Sequence, residues 1–278
     1  MSIYVNNGGV WTLTKDVWVN NAGTWVEPQE VYVNQSGVWK LLHKTITIAA
    51  NANNVNLFTL VGSPTSPIRL KVTVATGVLI GSSSVASPSF TIAGFPAASQ
   101  ILLINNGSIL GAGGYGAIGT NYGSTTVNAA QAGGTALSVS SAVTIQNYGT
   151  IAGGGGGGGA GGWGTYSVTS GKTTNTYSGS GSGGGGGAGI VGGAGGAGGT
   201  GGNQPGNVGS AGANTTGGSG GTTGGTGLSG GAGGNLGTAG TTATGGNYTG
   251  PGAAAGSYAV GNVNITWEVA GTRLGAVS

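Results

Sequence analysis

The sequence predicts an all-β amino-terminal region with hairpin repeats, then a glycine-rich bundle of polyglycine II helices and a closing carboxy-terminal β-strand. A parallel β-solenoid is the alternative. Three observations carry this reading: an aromatic repeat at the start, short β-branched runs after it, and 69 Gly in 278 residues, where ordinary usage is about 7%.

The repeat occurs three times, as YVNNGGVW (Tyr4–Trp11), WVNNAGTW (Trp18–Trp25) and YVNQSGVW (Tyr32–Trp39). Asn and Gly tolerate the left-handed backbone of a tight turn. A four-residue loop would place Val5 opposite Val10 and Tyr4 opposite Trp11. The same spacing pairs Trp18 with Trp25 and Tyr32 with Trp39, and each cross-strand aromatic pair contributes about 0.2–1 kcal/mol. The three hairpins form either a small aromatic core or three equivalent faces for a threefold partner.

From Thr45 to Asn105 the runs TITI, NLFTL, IRLKVTV, GVLI, SFTI and ILLIN are separated by Asn, Gly, Ser and Pro, as in a small sheet or sandwich. A second repeat aligns Leu103, Asn105, Gly107, Ile109 and Gly111 with Ile145, Asn147, Gly149, Ile151 and Gly153. It reads as a solenoid coil or as a strand feeding a glycine run.

Glycine dominates from about Gly111 to Gly256, with a period of three. Val191, Ala194, Ala197, Thr200 and Asn203 are separated by glycine pairs, and Thr223, Thr226, Ser229, Ala232 and Asn235 keep the spacing with Leu228 between them. Three residues per turn is the polyproline II repeat, which has no internal hydrogen bonds. A flexible linker would have this composition too. Ordering glycine costs about 1–2 kcal/mol per residue, so order requires helices packed side by side with their N–H and C=O groups paired between neighbours. Large apolar interruptions (Trp163, Tyr166, Tyr177, Ile190) and the alternating end GNVNITWEVAGTRLGAVS favour order. Pro is too scarce for collagen.

Only 4% of residues are charged, and between Lys71 and Glu268 the one charged residue is Lys172. The seven Lys and Arg form no cluster, so no nucleic-acid footprint is present. No Cys is available for disulfides or thiolate metal sites. The first residues lack the pattern of a signal peptide, and no apolar run reaches the roughly 20 residues of a membrane helix. His43 has no evident nucleophile partner, and Asp16, Glu27, Glu30 and Glu268 are the only acids. Paired-carboxylate hydrolysis and calcium binding are therefore not expected, nor is a cofactor. These features point to a non-catalytic binding or structural protein, the structural reading being a wall, ice-binding or virion-decorating protein.

VTIQNYGTIAGGGGGGGAGG (Val143–Gly162), the glycine runs to Gly256 and the ending WEVAGTRLG resemble the tip adhesins of T-even-type phage long tail fibres. The resemblance implies a virion protein at the distal end of the fibre or tail tip. Its partners would be a trimeric fibre or tail-tip protein and a host outer-membrane protein or surface glycan. The resemblance covers roughly residues 100–278, and the three hairpin repeats at the start differ from the family's Trp-rich docking segment. The expected organisation is three aromatic hairpin repeats for attachment at 1–44, a small β-sheet domain at 45–105, a helix bundle with receptor-binding loops at 106–257 and a closing strand at 258–278. The expected attachment residues are Tyr4, Trp11, Trp18, Trp25, Tyr32 and Trp39. The expected receptor-binding residues are Tyr115, Tyr122, Trp163, Tyr166, Lys172, Tyr177, Asn247 and Tyr248, with Tyr258 a further candidate and Trp163–Tyr177 the first choice.

Overall fold

The computed structural model describes residues 3–7, 10–14, 18–222 and 228–278. The aromatic repeats form antiparallel hairpins: β1 (Ile3–Asn7) with β2 (Val10–Thr14), β3 (Val19–Asn21) with β4 (Thr24–Val26), and β5 (Glu30–Gln35) with β6 (Val38–Ile48). The expected four-residue loops are replaced by two-residue turns. Asn6, Asn20 and Asn34 stand opposite Trp11, Trp25 and Trp39, while Tyr4 faces Leu13 and Tyr32 faces Leu41. The reason lies in the turn residues. Ala22 and Gly23 have φ of 49° and 89°, and Ser36 and Gly37 have 55° and 85°, the paired left-handed conformation of a type I′ turn. The Asn stands two residues before the turn pair: Oδ1 of Asn20 and Asn34 accepts from the N–H of Gly23 and Gly37 at 2.8 and 3.0 Å.

β6 then opens a parallel solenoid. The first coil contains β6, β7 (Ala52–Asn53) and β8 (Val55–Asn56), followed by the one-turn helix α1 (Leu57–Leu60). The second contains β9 (Arg69–Val74), β10 (Leu79–Gly81) and β11 (Phe90–Ile92). The third contains β12 (Gln100–Asn105), β13 (Ser108–Leu110) and β14 (Leu137–Val139). The fourth begins with β15 (Val143–Asn147) and β16 (Thr150–Ala152). A long insertion carrying β17 (Gly164–Ser170) and β18 (Thr173–Gly179) intervenes before β19 (Ser257–Val260) completes it. The fifth is β20 (Ile265–Val269), β21 (Thr272–Leu274) and β22 (Ala276–Val277). Each coil gives one strand to each of three sheets, ordered β20-β15-β12-β9-β6-β5, β21-β16-β13-β10-β7 and β22-β19-β14-β11-β8. Residues 45–105 and 258–278 thus lie in the same sheets, and no separate sandwich forms.

Alternation explains the core. Ile46, Val72, Leu103, Ile145 and Trp267 are in register across the first sheet, and Ile80, Ile109 and Ile151 across the second. The middle members are fully buried. The second repeat marks consecutive coils: Asn105 pairs with Asn147, both buried, and Nδ2 of Asn105 donates to Oδ1 of Asn147 at 2.8 Å. Nδ2 of Asn147 continues the ladder to the carbonyls of Ala270 and Thr272. In the last coil Arg273 takes the register of Ile151. Its guanidinium covers the rings of Trp267 and Tyr258 at 4.7 and 5.4 Å, closing that end of the core with a charge that water can reach.

The glycine runs are insertions at one corner of the solenoid, after β13 and after β16, so both readings of the second repeat hold together. Segments over 111–120, 128–134, 153–162, 180–189, 191–200, 205–213, 217–222, 228–235, 238–243 and 250–256 are tied to one another by backbone hydrogen bonds. Hydrogen bonds rotate with a period of three. The N–H groups of Gly184, Gly185, Gly186 and Gly187 donate in turn to Ala117, Gly231, Ser210 and Gly114. The carbonyls of Gly184, Gly185 and Gly186 accept from Gly196, Gly158 and Gly218. Segment 180–189 therefore has six neighbours, and 153–162 has six of its own. This is the periodicity polyglycine II packing requires. These two segments are buried throughout, whereas in 191–200 every third residue, from Val191 to Thr200, is exposed. Uninterrupted glycine marks an interior segment and the Gly-Gly-x pattern a peripheral one. Leu228 falls in the buried phase of its run and is 2% exposed.

Candidate functional site

The insertion has two poles. At its root, Leu110, Ala152, Ala188 and Leu236 cluster with Ile190, and Gly153 N–H donates to the Leu274 carbonyl of the solenoid. The reversals at 121–127, 163–179, 201–204 and 244–249 lie at the far pole. Seven of the eight expected receptor-binding residues, all but Tyr115, lie within these reversals. Tyr122 and Trp163 meet edge to face at 5.2 Å, and Trp163 stacks on Tyr248 at 6.4 Å. The indole N–H of Trp163 donates to the Ser124 carbonyl at 2.6 Å. Trp163 and Asn247 exchange backbone hydrogen bonds of 3.1 and 2.7 Å, and Thr120 Oγ1 donates to the Tyr248 carbonyl at 2.9 Å. Tyr248 itself has φ of 59° and is 46% exposed.

The segment expected to lead the contact, Trp163–Tyr177, is a hairpin. Gly171 and Lys172 form its turn, with Gly171 at φ 63°. Tyr166 stacks on Tyr177 across the ladder at 5.1 Å and 19°. Hydroxyl pairs Ser167–Thr176 and Thr169–Thr174 sit at 3.0 Å each, and Lys172 is exposed at the tip. Tyr115 stands apart, 56% exposed along the flank of segment 111–120. Tyr258 belongs to β19 in the solenoid, against Trp267 at 6.1 Å. Sequence reasoning did not single out Asn121, which holds Thr200 N–H at 2.7 Å, or Asn203 and Gln204, which bond Ser178. Asn203 closes a Gly-Gly-x run, the pattern that could have revealed it.

At the other end, Trp18, Trp25, Tyr32 and Trp39 are 54, 64, 48 and 68% exposed. The side chains of Tyr4 and Trp11 lie outside the described residues. Glu30 accepts from Lys44 and from the Tyr32 hydroxyl, both at 2.8 Å. These bonds, Lys44 first, hold its carboxyl below the usual range, and the bond to Glu30 raises the Tyr32 pKa. The first coil is open: Ile46, Ile48 and Val55 are half-buried, Leu60 is 51% exposed, and no strand lies beyond β7 or β8 among the described residues.

Glu27 and Glu268 line one groove on the outer face of the first sheet. Glu27 is paired with Lys71 at 2.8 Å and Glu268 accepts from Gln146 at 2.7 Å. Lys71 on β9 and Glu268 on β20 are three strands apart, roughly 14 Å between their backbones at the usual interstrand spacing. Among the described residues no group of three or more His, Cys, Asp or Glu could hold a metal, and no helix is long and apolar enough to cross a membrane.

No curated protein matches the chain. One solved structure that does is the gp37-gp38 adhesin tip complex of the bacteriophage S16 long tail fibre, with TM-score 0.58 and 23% identity, covering 86% of this chain and 84% of that one. The family described as phage tail fibre adhesin Gp38 matches residues 43–278, beginning just after the third aromatic repeat. The chain belongs to the phage tail fibre adhesin Gp38 family.

Proposed function

We propose that this adhesin binds a receptor on the host bacterial surface through the far pole of its glycine bundle, without catalysis, while its amino-terminal end holds it on the tip of the fibre. The observation that carries the reading is the gathering of Tyr122, Trp163, Tyr248 and the β17–β18 hairpin at the pole opposite the solenoid. Aromatic rings and neutral hydrogen-bonding groups bind well at low ordering cost, and a bundle tied by interhelical hydrogen bonds holds them rigidly.

The attachment reading rests on two neighbouring features. The second and third hairpins present exposed Trp18, Trp25 and Trp39, and the first coil leaves an apolar end open where the last coil is closed by Arg273. Three repeats in one chain supply a pseudo-threefold surface for a trimeric fibre. The matched tip complex, itself a gp37–gp38 assembly, supports a fibre partner.

The test replaces Ser167–Thr176 with Asn-Gly, which retains the Tyr166–Tyr177 pair. Adsorption of the labelled variant to host cells is expected to fall to background, with binding to fibres unchanged. Adsorption equal to that of the unmodified chain would overturn the receptor assignment.

A further inference from the structure

We infer that the β17–β18 hairpin recognises its receptor by strand addition, the outer edge of β17 pairing with an extended segment of a receptor polypeptide. This rests on the proposed receptor-binding role of the far pole and adds the chemistry of the partner.

The register sets which backbone groups are free. With Ser170 opposite Thr173 across a two-residue turn, Tyr166, Val168 and Ser170 bond inward. The N–H and C=O groups of Thr165, Ser167 and Thr169 point outward. The same alternation is visible at the root. Trp163, in the outward phase, exchanges both its groups with Asn247, and the Ser178 carbonyl accepts from Asn203 and Gln204. Both edges are therefore extended at the base by neighbouring loops. Beyond the base, none of the outward groups of Thr165, Ser167 and Thr169 has a backbone partner among the described residues.

β17 is the better edge. It offers three outward residues over roughly 14 Å of strand, whereas β18 offers Thr174 and Thr176, its Ser178 being taken. Sheet edges are usually guarded by charge, proline or a bulge. Thr165–Thr169 has none of these, and the one nearby charge, Lys172, sits past the edge in the turn. The outward groups repeat at the spacing of an extended peptide, which a glycan does not match. Four of the face hydroxyls are bonded to one another, Ser167 with Thr176 and Thr169 with Thr174. The antiparallel bridge at Asn247 already begins the added strand, and a receptor segment would continue it.

The test compares Ser167→Pro, which removes an outward N–H without touching the hairpin ladder, with Ser167→Ala, which removes only the hydroxyl. The probe is outer-membrane vesicles from a bacterium that the unmodified chain adsorbs to. Ser167→Pro is expected to weaken binding at least about tenfold, the loss of one or more backbone bonds, and Ser167→Ala to stay within about threefold. In the unmodified chain, the amides of Thr165, Ser167 and Thr169 should gain hydrogen-exchange protection on the vesicles. That readout holds even if the proline variant misfolds. Full binding by Ser167→Pro, an equal loss in Ser167→Ala, or absent protection would overturn strand addition. If replacing Ser167–Thr176 leaves binding intact, the receptor role of the hairpin falls too; if it abolishes binding while Ser167→Pro binds fully, only strand addition falls.

Discussion

At the residue scale, the bundle depends on the missing Cβ. A Cβ at Gly157 would fall on the Tyr115 carbonyl and one at Gly186 on the Gly193 carbonyl, both well inside contact distance. Gly157→Ala is expected to destabilise the protein by at least about 1–3 kcal/mol through overpacking, read as a lower thermal midpoint. Ala197→Ser, at an exposed third position, should change it by less than about 0.5 kcal/mol. Asn147→Ala removes the acceptor of Asn105 Nδ2 and the donor to two carbonyls. A loss of about 1–3 kcal/mol is expected, checked by denaturant unfolding. Most of this was legible. Period three and the apolar-x-Asn-x-Gly-x-Ile repeat named the positions that must be small or paired. What the repeat left open was whether Asn105 and Asn147 touch, because contact depends on how the intervening 111–136 leaves and rejoins the coil.

At the scale of elements, Glu30 ties β5 to β6. Its lowered pKa means that the hairpin gains stability above the ordinary carboxylate value of 4.5 and loses it as pH falls through the folded value. Tyr32, with its pKa raised, contributes below 10.0 and loses its contribution as pH rises through its folded value. Both groups are exposed, so salt should weaken each effect. A fluorescence titration of the hairpin tryptophans should show an acid step that Glu30→Gln removes; persistence of the step would assign it elsewhere. The hairpins were legible as hairpins, but their register was not. Asn-x-x-Gly fits a four-residue loop and equally a type I′ turn capped by the preceding Asn, and only the positive φ at Ala22 and Ser36 decides. Trp163–Tyr177 was legible as a candidate contact but not as a strand pair, since Thr and Ser suit strand and loop alike.

At the scale of the molecule, the solenoid is a base with one closed and one open end, and the glycine bundle projects from one corner. The strand 258–278 could be seen to close something, but not that it stacks on coils begun before residue 111, since the pairing spans the whole insertion. Replacing Trp11, Trp25 and Trp39 together with Ala is expected to abolish co-sedimentation with fibres while leaving the far-ultraviolet spectrum unchanged. Retained binding would remove the aromatic hairpins from the attachment. The bipolar arrangement can be measured directly, because the chain has no Cys. Lys172→Cys and Thr24→Cys, each carrying a photo-crosslinker, are assembled on fibres and adsorbed to host cells. Crosslinks from position 172 to the cell envelope and from position 24 to the fibre are the expected result; crosslinks from position 24 to the envelope, or from position 172 only to the fibre while cells stay bound, would contradict it.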